Sequence, residues 1–119
     1  MRFPSRSLLA DFLASPVAGG IEYIERADVE AVIERFLGCC AELGRAPREL
    51  EAGDLRRLLR ERLPPRYAPR EPLGQRTIDV LRTFLAFLEP GLDAARVRAL
   101  RVTLEEEADA FRALVRGER

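Results

Sequence analysis

The segment T-I-D-V-L-R-T-F-L-A-F-L, residues 77–88, is the most apolar helical pattern in the chain. On a helix of 3.6 residues per turn its apolar side chains cover about half of the circumference. A helix with so wide an apolar face is buried by its neighbours rather than lying on the surface. The segment therefore predicts a central helix near residues 74–89.

Upstream of this segment, two more helices are predicted from apolar spacing and from their start and stop residues. Ser5 is the predicted N-cap of a short first helix that ends before Pro16. Asp28 is the predicted N-cap of a second helix over residues 29–43, which Gly44 ends. The stretch between these two helices fits neither a helical face nor a strand, and it is predicted to be a turn.

Two further helices flank the central one. Gly53 and Asp54 are the predicted cap of a helix that Pro64 stops, and Asp93 is the predicted cap of the last and longest helix, which runs to about Val115. No segment alternates between apolar and polar residues as a half-buried strand does. The predicted fold class is therefore all-α, a compact bundle of about five helices.

The chain is predicted to form a single helical domain over residues 1–119. Residues 64–72, P-P-R-Y-A-P-R-E-P, contain four prolines in nine positions. Proline favours extended backbone, so this connection is predicted to be stiff and extended. It is too short to separate two domains.

The composition excludes most catalytic chemistry. The 119 residues contain no His, Lys, Asn or Trp, and all 20 basic residues are Arg, against 20 Asp and Glu. No Ser-His, Cys-His or Ser-Lys nucleophile can be built from these residues, and no His-ligated zinc site can form. We therefore expect no enzyme activity, no metal and no cofactor.

The two cysteines are adjacent, which makes them poor partners for a disulfide on a helix. Cys40 lies at the centre of the apolar stripe of the second predicted helix, and Cys39 lies at its edge. Both are predicted to be reduced thiols, with Cys39 the more exposed of the two.

The first thirty residues predict neither a cleaved signal nor a membrane anchor. Asp11 interrupts the apolar stretch that follows Arg2 and Arg6. The longest run without a charged residue, 12–21, has ten residues and is too short to span a membrane. A cytoplasmic location is therefore expected.

A basic segment stands in the middle of the chain, where 56–70 contain six arginines and one acid, Glu61. Arginines with an aromatic ring among them are typical of phosphate contact and base stacking. The candidate nucleic-acid residues are Arg56, Arg57, Arg60, Arg66, Tyr67 and Arg70. The alternative is that these arginines solvate their own helix or pair with the acidic segment 11–44, which has seven acidic residues against two arginines.

The stretches D-L-R-R-L-L-R-E-R-L and T-I-D-V-L-R-T-F-L-A-F-L-E-P-G lie within residues 54–91. Together they resemble the helical core-binding module that precedes the catalytic domain of tyrosine recombinases. The matching positions are Asp54, Leu55, Leu58, Leu59, Leu81, Phe84, Leu85, Phe87, Leu88 and Gly91. The catalytic domain of that family has no counterpart here, so the resemblance assigns no catalytic residue.

Carboxylates offer a third hypothesis, a Mg²⁺-dependent nucleotide hydrolase. Glu22, Glu25 and Asp28 stand at helical spacing, and Glu106 with Asp109 forms a second such set. Two sets on facing helices could hold Mg²⁺, and the pattern is similar to the E-x-x-E and E-x-x-D motifs of all-α nucleotide pyrophosphohydrolases. In this chain the two sets are much farther apart in sequence than in that family, and no Lys or Asn completes the site.

The last helix has an apolar seam with one carboxylate at its centre. The seam consists of Val97, Leu104 and Phe111 at a positions of a heptad and Leu100, Glu107 and Leu114 at d positions. A polar residue in such a seam commonly fixes register or oligomeric state. The same residues could instead form the inner face of a monomeric bundle in which Glu107 meets an Arg.

The function predicted from the sequence is a small non-catalytic binding or adaptor module. It acts through this seam on a protein partner or on a second copy of itself, as a homodimer. A nucleic-acid-associated module using the basic segment 56–70 is the alternative.

Overall fold

The apolar segment 77–88 lies in a long helix, here α4, that spans Pro72–Leu88 in the computed structural model. Pro72 occupies the first turn, where its missing N–H removes no helical hydrogen bond. The buried residues of α4 are Leu73, Gly74, Thr77, Ile78, Val80, Leu81, Phe84, Leu85 and Leu88. The helix packs against the second and last helices and against the turn after the first. The predicted central helix is confirmed.

The other helices are α1 (Pro4–Ala14), α2 (Arg26–Glu42), α3 (Ala52–Arg57) and α5 (Ala94–Val115). The structure describes residues 4–117, and the side chains from residue 8 onward. Short 3₁₀ turns connect the helices at Pro16–Ile21, Pro47–Glu49, Pro64–Arg66 and Glu89–Gly91. Within the described range no residue is in a strand, so the all-α bundle is confirmed. The radius of gyration of 13.4 Å is that of one compact unit of this length.

Three predicted helix starts differ from those observed, and one is confirmed. Helix α1 already includes Ser5, and α2 begins at Arg26, so Asp28 lies in its first turn. Asp54 is also inside its helix, where its Oδ2 accepts a hydrogen bond of 3.0 Å from the backbone N–H of Glu51. An acidic residue stabilises the start of a helix both at the N-cap and in the first turn, because it interacts with the free N–H groups and the helix dipole in either place. The sequence pattern alone therefore does not distinguish the N-cap from the first turn. Asp93 is the N-cap of α5, as predicted.

Helix α3 continues directly into a π-helical turn over Leu58–Arg62. The backbone N–H of Leu63 donates to the carbonyl of Leu58 at 2.7 Å, across five residues. An extra residue in a turn rotates the following side chains around the helix axis. Leu58, Leu59 and Leu63 are all fully buried while Arg60 remains outside.

The proline-rich connection 64–72 is not extended, in contrast to the prediction. Its first residues form the 3₁₀ turn, Tyr67 is 7% exposed, and Arg70 has a positive φ of 63°. The backbone N–H of Arg70 donates to the carbonyl of Val115 at 3.2 Å. The φ of proline near −65° suits a 3₁₀ turn as well as extended backbone. The prolines therefore allow the compact turn, and in that turn the Tyr67 ring is buried.

Three phenylalanines link the first, second and fourth helices at the centre of the core. The ring of Phe84 on α4 meets Phe12 of α1 at 5.2 Å and Phe36 of α2 at 6.1 Å between centroids, both edge to face. Edge-to-face pairs are the favoured arrangement of aromatic rings in cores.

No helix in the described part of the chain is long and apolar enough to cross a membrane.

Both cysteines are buried, so the prediction that Cys39 is the more exposed is wrong. Cys39 is 0% exposed and Cys40 is 1% exposed, and both are free thiols. The thiol of Cys39 donates to the carbonyl of Arg62 at 3.6 Å, because the π-helical turn lies over the edge of the α2 stripe. Burial raises the pKa of Cys39 and raises the pKa of Cys40 to about 12.

We expect neither thiol to react with DTNB in the folded protein at pH 8, because both are buried and protonated there. Both should react fully after unfolding in guanidinium chloride. Melting curves with and without a reductant should coincide. Rapid reaction of one thiol before unfolding would show that the edge of the α2 stripe is open to solvent.

Gly74 of α4 lies against Val115 at the end of α5, without room for a side chain. A Cβ built on Gly74 would lie 2.7 Å from a methyl carbon of the buried Val115. Gly74→Ala should therefore lower the free energy of unfolding by about 1–3 kcal/mol, the usual cost of overpacking. In a Val115→Ala background the same change should be neutral or stabilising, since alanine is the better helix former.

The matched control is Gly53→Ala in α3, where no atom lies within 4 Å of the added methyl group. This change should raise the free energy of unfolding slightly, by up to about 1 kcal/mol. Denaturant titrations of the four variants measure all of these values. Equal effects of Gly74→Ala in both backgrounds would contradict the close contact.

Candidate functional site

The apolar seam of α5 faces the interior of the chain. Leu100, Leu104 and Phe111 are each 1% exposed, and Glu107 is 5% exposed. Val97 and Leu114, near opposite ends of the helix, are partly exposed. The seam packs against α3 and α4. A partner cannot reach most of this seam while α5 stays in place.

The carboxylate of Glu107 has partners within the same chain. It accepts hydrogen bonds of 2.7 and 2.9 Å from Nε and Nη2 of Arg60, and Nε of Arg56 lies 3.5 Å from it. The hydrogen bonds from Arg60 hold the pKa of Glu107 below its usual range, against the opposing effect of burial. The structure thus matches the alternative in which Glu107 meets an Arg on the inner face of a bundle.

The basic segment 56–70 does not form a continuous positive surface. Arg56 and Arg60 pair with Glu106 and Glu107 of α5. Arg66 pairs with Glu42 of α2, and Nη1 of Arg62 lies 4.0 Å from the same carboxylate. Only the pairs with Glu42 match the predicted pairing with the acidic segment 11–44. Arg57 and Arg70 are exposed, and neither side chain has an ion pair or hydrogen bond within the described residues.

Tyr67 is not available to stack on a base. Its hydroxyl shares a hydrogen bond of 2.5 Å with Oγ1 of Thr77, and the guanidinium of Arg35 lies over its ring at 4.7 Å. Arg35 is held in turn by Glu71, at 3.1 and 3.3 Å. Burial raises the pKa of Tyr67 to about 12. The ring that the sequence placed in a nucleic-acid surface belongs to the core.

The acidic residues of the hydrolase hypothesis are not brought together. The part of the chain that the structure describes contains no group of three or more His, Cys, Asp or Glu side chains that could hold a metal ion. Glu106 is paired with Arg56, and Asp109 lies 3.5 Å from Arg112 of its own helix. The set around Glu22 and the set around Glu106 therefore do not form one site.

An open groove with a positive rim lies at the start of α5, and we call it the basic groove. Its volume is about 630 Å³. Its lining residues are Glu89, Leu92, Ala94, Val97, Arg98, Arg101 and Val102. Val102 is 49% exposed although it is aliphatic. Arg101 pairs with Glu89, whereas the exposed side chain of Arg98 has no partner among residues 8–117.

A second open groove, with a negative rim, lies between the end of α1 and the start of α2, and we call it the acidic groove. Its volume is about 460 Å³. Its lining residues are Leu13, Ser15, Ala18, Gly19, Ile21, Glu22, Ile24, Glu25, Arg26 and Val29. Arg26 lies 3.4 Å from Glu30. The exposed carboxylates of Glu22 and Glu25 have no side-chain partner in the described part of the chain.

Of the six seam residues predicted to bind a partner, only Val97 lines the basic groove. The sequence pattern did not identify Leu92, Arg98 and Val102 of the same lining as candidate residues. Apolar periodicity selects the face of α5 that the chain itself covers. Val102 lies outside that stripe, on the polar side of the helix. An aliphatic residue there is exposed if nothing packs against it, so its position in the sequence could have indicated a surface site.

Comparisons of the chain with family models, with curated proteins and with solved structures find no match. The resemblances to the recombinase module and to the pyrophosphohydrolases gain no support from them. The functional argument therefore depends on the surface chemistry of the described residues.

We expect Glu107→Gln to lower the melting temperature at pH 7 by roughly 3–6 °C, because Arg60 and Arg56 then lose a charged partner. The pKa of Glu107 is lower in the folded than in the unfolded chain, so folding favours its ionised form. This stabilisation is complete above the ordinary value of 4.5 and is lost as the pH falls through the lowered pKa. The difference between the two proteins should shrink over that interval.

The control is Glu106→Gln, since that carboxylate is exposed and, among the described residues, pairs only with Arg56, at 3.5 Å. It should change the melting temperature by about 1 °C or less. Thermal melts from pH 3 to pH 7 measure both variants. A constant difference across this pH range would contradict a charged pair at Glu107.

Proposed function

We propose that this chain is a non-catalytic binding module whose basic groove takes an acidic amphipathic segment of a protein partner. The observation that carries the proposal is Val102, an aliphatic side chain left 49% exposed beside Arg98, whose side chain has no partner in the described part of the chain. Compact proteins rarely leave apolar side chains grouped at the surface unless something binds there.

The lining of the groove favours a segment with both apolar and acidic side chains. Leu92, Val97 and Val102 offer an apolar floor, and an amphipathic helix binds such a floor through residues spaced three or four apart. Arg98 and Arg101 flank the floor, and the planar guanidinium group binds carboxylates in a bidentate manner. A partner with leucines on one face and glutamates beside them satisfies both features.

The groove suits an acidic protein segment better than a nucleic acid. Glu89 lies in the lining and already pairs with Arg101, so the groove presents only one uncompensated positive charge. Phosphate backbones need several contacts to be held firmly, and their binding falls steeply with salt. Apolar contact with Val102 and Leu92 also has no counterpart on a phosphate chain.

Reversing the charge of Arg98 should weaken this binding. The probe is a synthetic amphipathic helix with leucines on one face and glutamates on its flanks, labelled for fluorescence anisotropy. Arg98→Glu should weaken its affinity about tenfold or more, because it places a like charge in the groove. Val102→Ser should weaken it by removing apolar contact.

The matched control is Arg57→Glu, which changes the net charge equally at another exposed arginine without a partner among the described residues. It should leave the affinity within about twofold. Equal weakening by Arg98→Glu and Arg57→Glu would show a general charge effect and no specific groove. Tighter binding of a DNA duplex than of the acidic helix would overturn the proposal in favour of a nucleic-acid partner.

A further inference from the structure

The exposed large apolar side chains of residues 8–117 are Val17, Tyr23 and Val102. Val102 lines the basic groove. Val17 precedes Ala18 of the acidic-groove lining and is 38% exposed. Tyr23 is 60% exposed, but its hydroxyl donates a hydrogen bond of 2.8 Å to Asp79 and its ring lies 5.8 Å from the guanidinium of Arg76, so it belongs to neither groove. One exposed valine thus lies in the basic groove and another next to the acidic groove.

We propose that the partner of the basic groove is a second copy of this chain, whose acidic groove docks against it head to tail. This inference rests on the proposed function, since it identifies the acidic amphipathic segment that the basic groove takes. The segment is the 3₁₀ turn Pro16–Ile21, which contains the exposed Val17, with the residues that lead into α2. Of these residues, Glu22 and Glu25 line the acidic groove.

Charge complementarity supports this occupant. Glu22 and Glu25 lack side-chain partners in the described part of their own chain, and so does Arg98. Docking one groove against the other brings these groups close to opposite charges, with Val17 of one copy near Val102 of the next. Opposite charges of this kind fix the orientation of two surfaces and speed their association.

The overall charge of the chain permits close approach of two copies. The 20 arginines balance 20 acidic residues, so the net charge is zero. A protein without net charge has no long-range repulsion between copies, and such proteins associate more readily than strongly charged ones. The local charges of the two grooves then determine the orientation.

The two grooves share no residue, so each copy offers two different surfaces, and the contact that we propose joins them head to tail in a heterologous manner. A heterologous contact leaves one free groove of each kind at the ends of every assembly. Copies therefore add one after another, giving rings or open chains instead of a twofold dimer. This arrangement differs from the coiled-coil homodimer expected from the α5 seam, which is buried within the chain.

The test uses the full chain with one groove blocked at a time. Arg98→Glu blocks the basic groove, and the double variant Glu22→Arg with Glu25→Arg blocks the acidic groove. All three residues are exposed, so the variants should keep the melting temperature of the parent. Wild-type protein should show a mass that rises with concentration in analytical ultracentrifugation, and this rise should weaken with added salt.

Each blocked variant alone should remain monomeric, whereas an equal mixture should associate into alternating assemblies. The intact basic groove of one variant meets the intact acidic groove of the other, and the two charge-reversed grooves are complementary as well. A chain that carries all three substitutions should associate again, because its grooves are complementary with reversed signs. Arg57→Glu is the control and should associate as the wild type does.

Two results would overturn the inference. Wild-type protein that stays monomeric at high concentration excludes the second copy as partner. Blocked variants that stay monomeric when mixed show that the two grooves do not bind each other. The acidic probe helix separates these failures from failure of the proposed function, since it can still bind the basic groove of the Glu22→Arg, Glu25→Arg variant when the inference fails.

Discussion

Helix α4 buries side chains around about half of its circumference, and no single neighbour can cover so wide a face. Helices α2 and α5 and the 3₁₀ turn Pro16–Ile21 all pack against it. Burial of apolar surface is the main favourable term in folding and is roughly proportional to area. Three segments of the chain therefore pack around α4, and Gly74 is the position where the end of α5 leaves no room for a side chain.

Two buried polar groups are held by partners within the chain. Glu107 is held by Arg60, and Tyr67 shares a hydrogen bond with Thr77 beneath Arg35. Among the described residues, no fully buried side-chain nitrogen or oxygen lacks a hydrogen-bond partner. A buried charge without a partner is costly, and the pair of Glu107 with Arg60 removes that cost. Arg60, a candidate for nucleic-acid contact in the sequence, is engaged in this internal pair.

Some charged groups left over after this internal pairing line the two grooves. The basic groove has Arg98 beside Val102, and the acidic groove has Glu22 and Glu25. A chain without His or Lys has few means of catalysis, but it needs none to bind. Two grooves of opposite charge on one small bundle would let copies of the chain, or acidic segments of other proteins, be joined in a fixed direction.

The sequence by itself determined the helices, the central position of α4 and the inward face of α5, because apolar periodicity reports which side of a helix must be buried. It did not determine what covers each face. Cys39 and Tyr67 are buried because the π-helical turn and the proline-rich connection fold over them, and both depend on contacts between distant segments. The partner of Glu107 and the isolation of Arg98 are likewise set by which helices become neighbours. Tertiary structure alone decided these points, since a side chain's exposure and charge balance depend on residues far away in sequence.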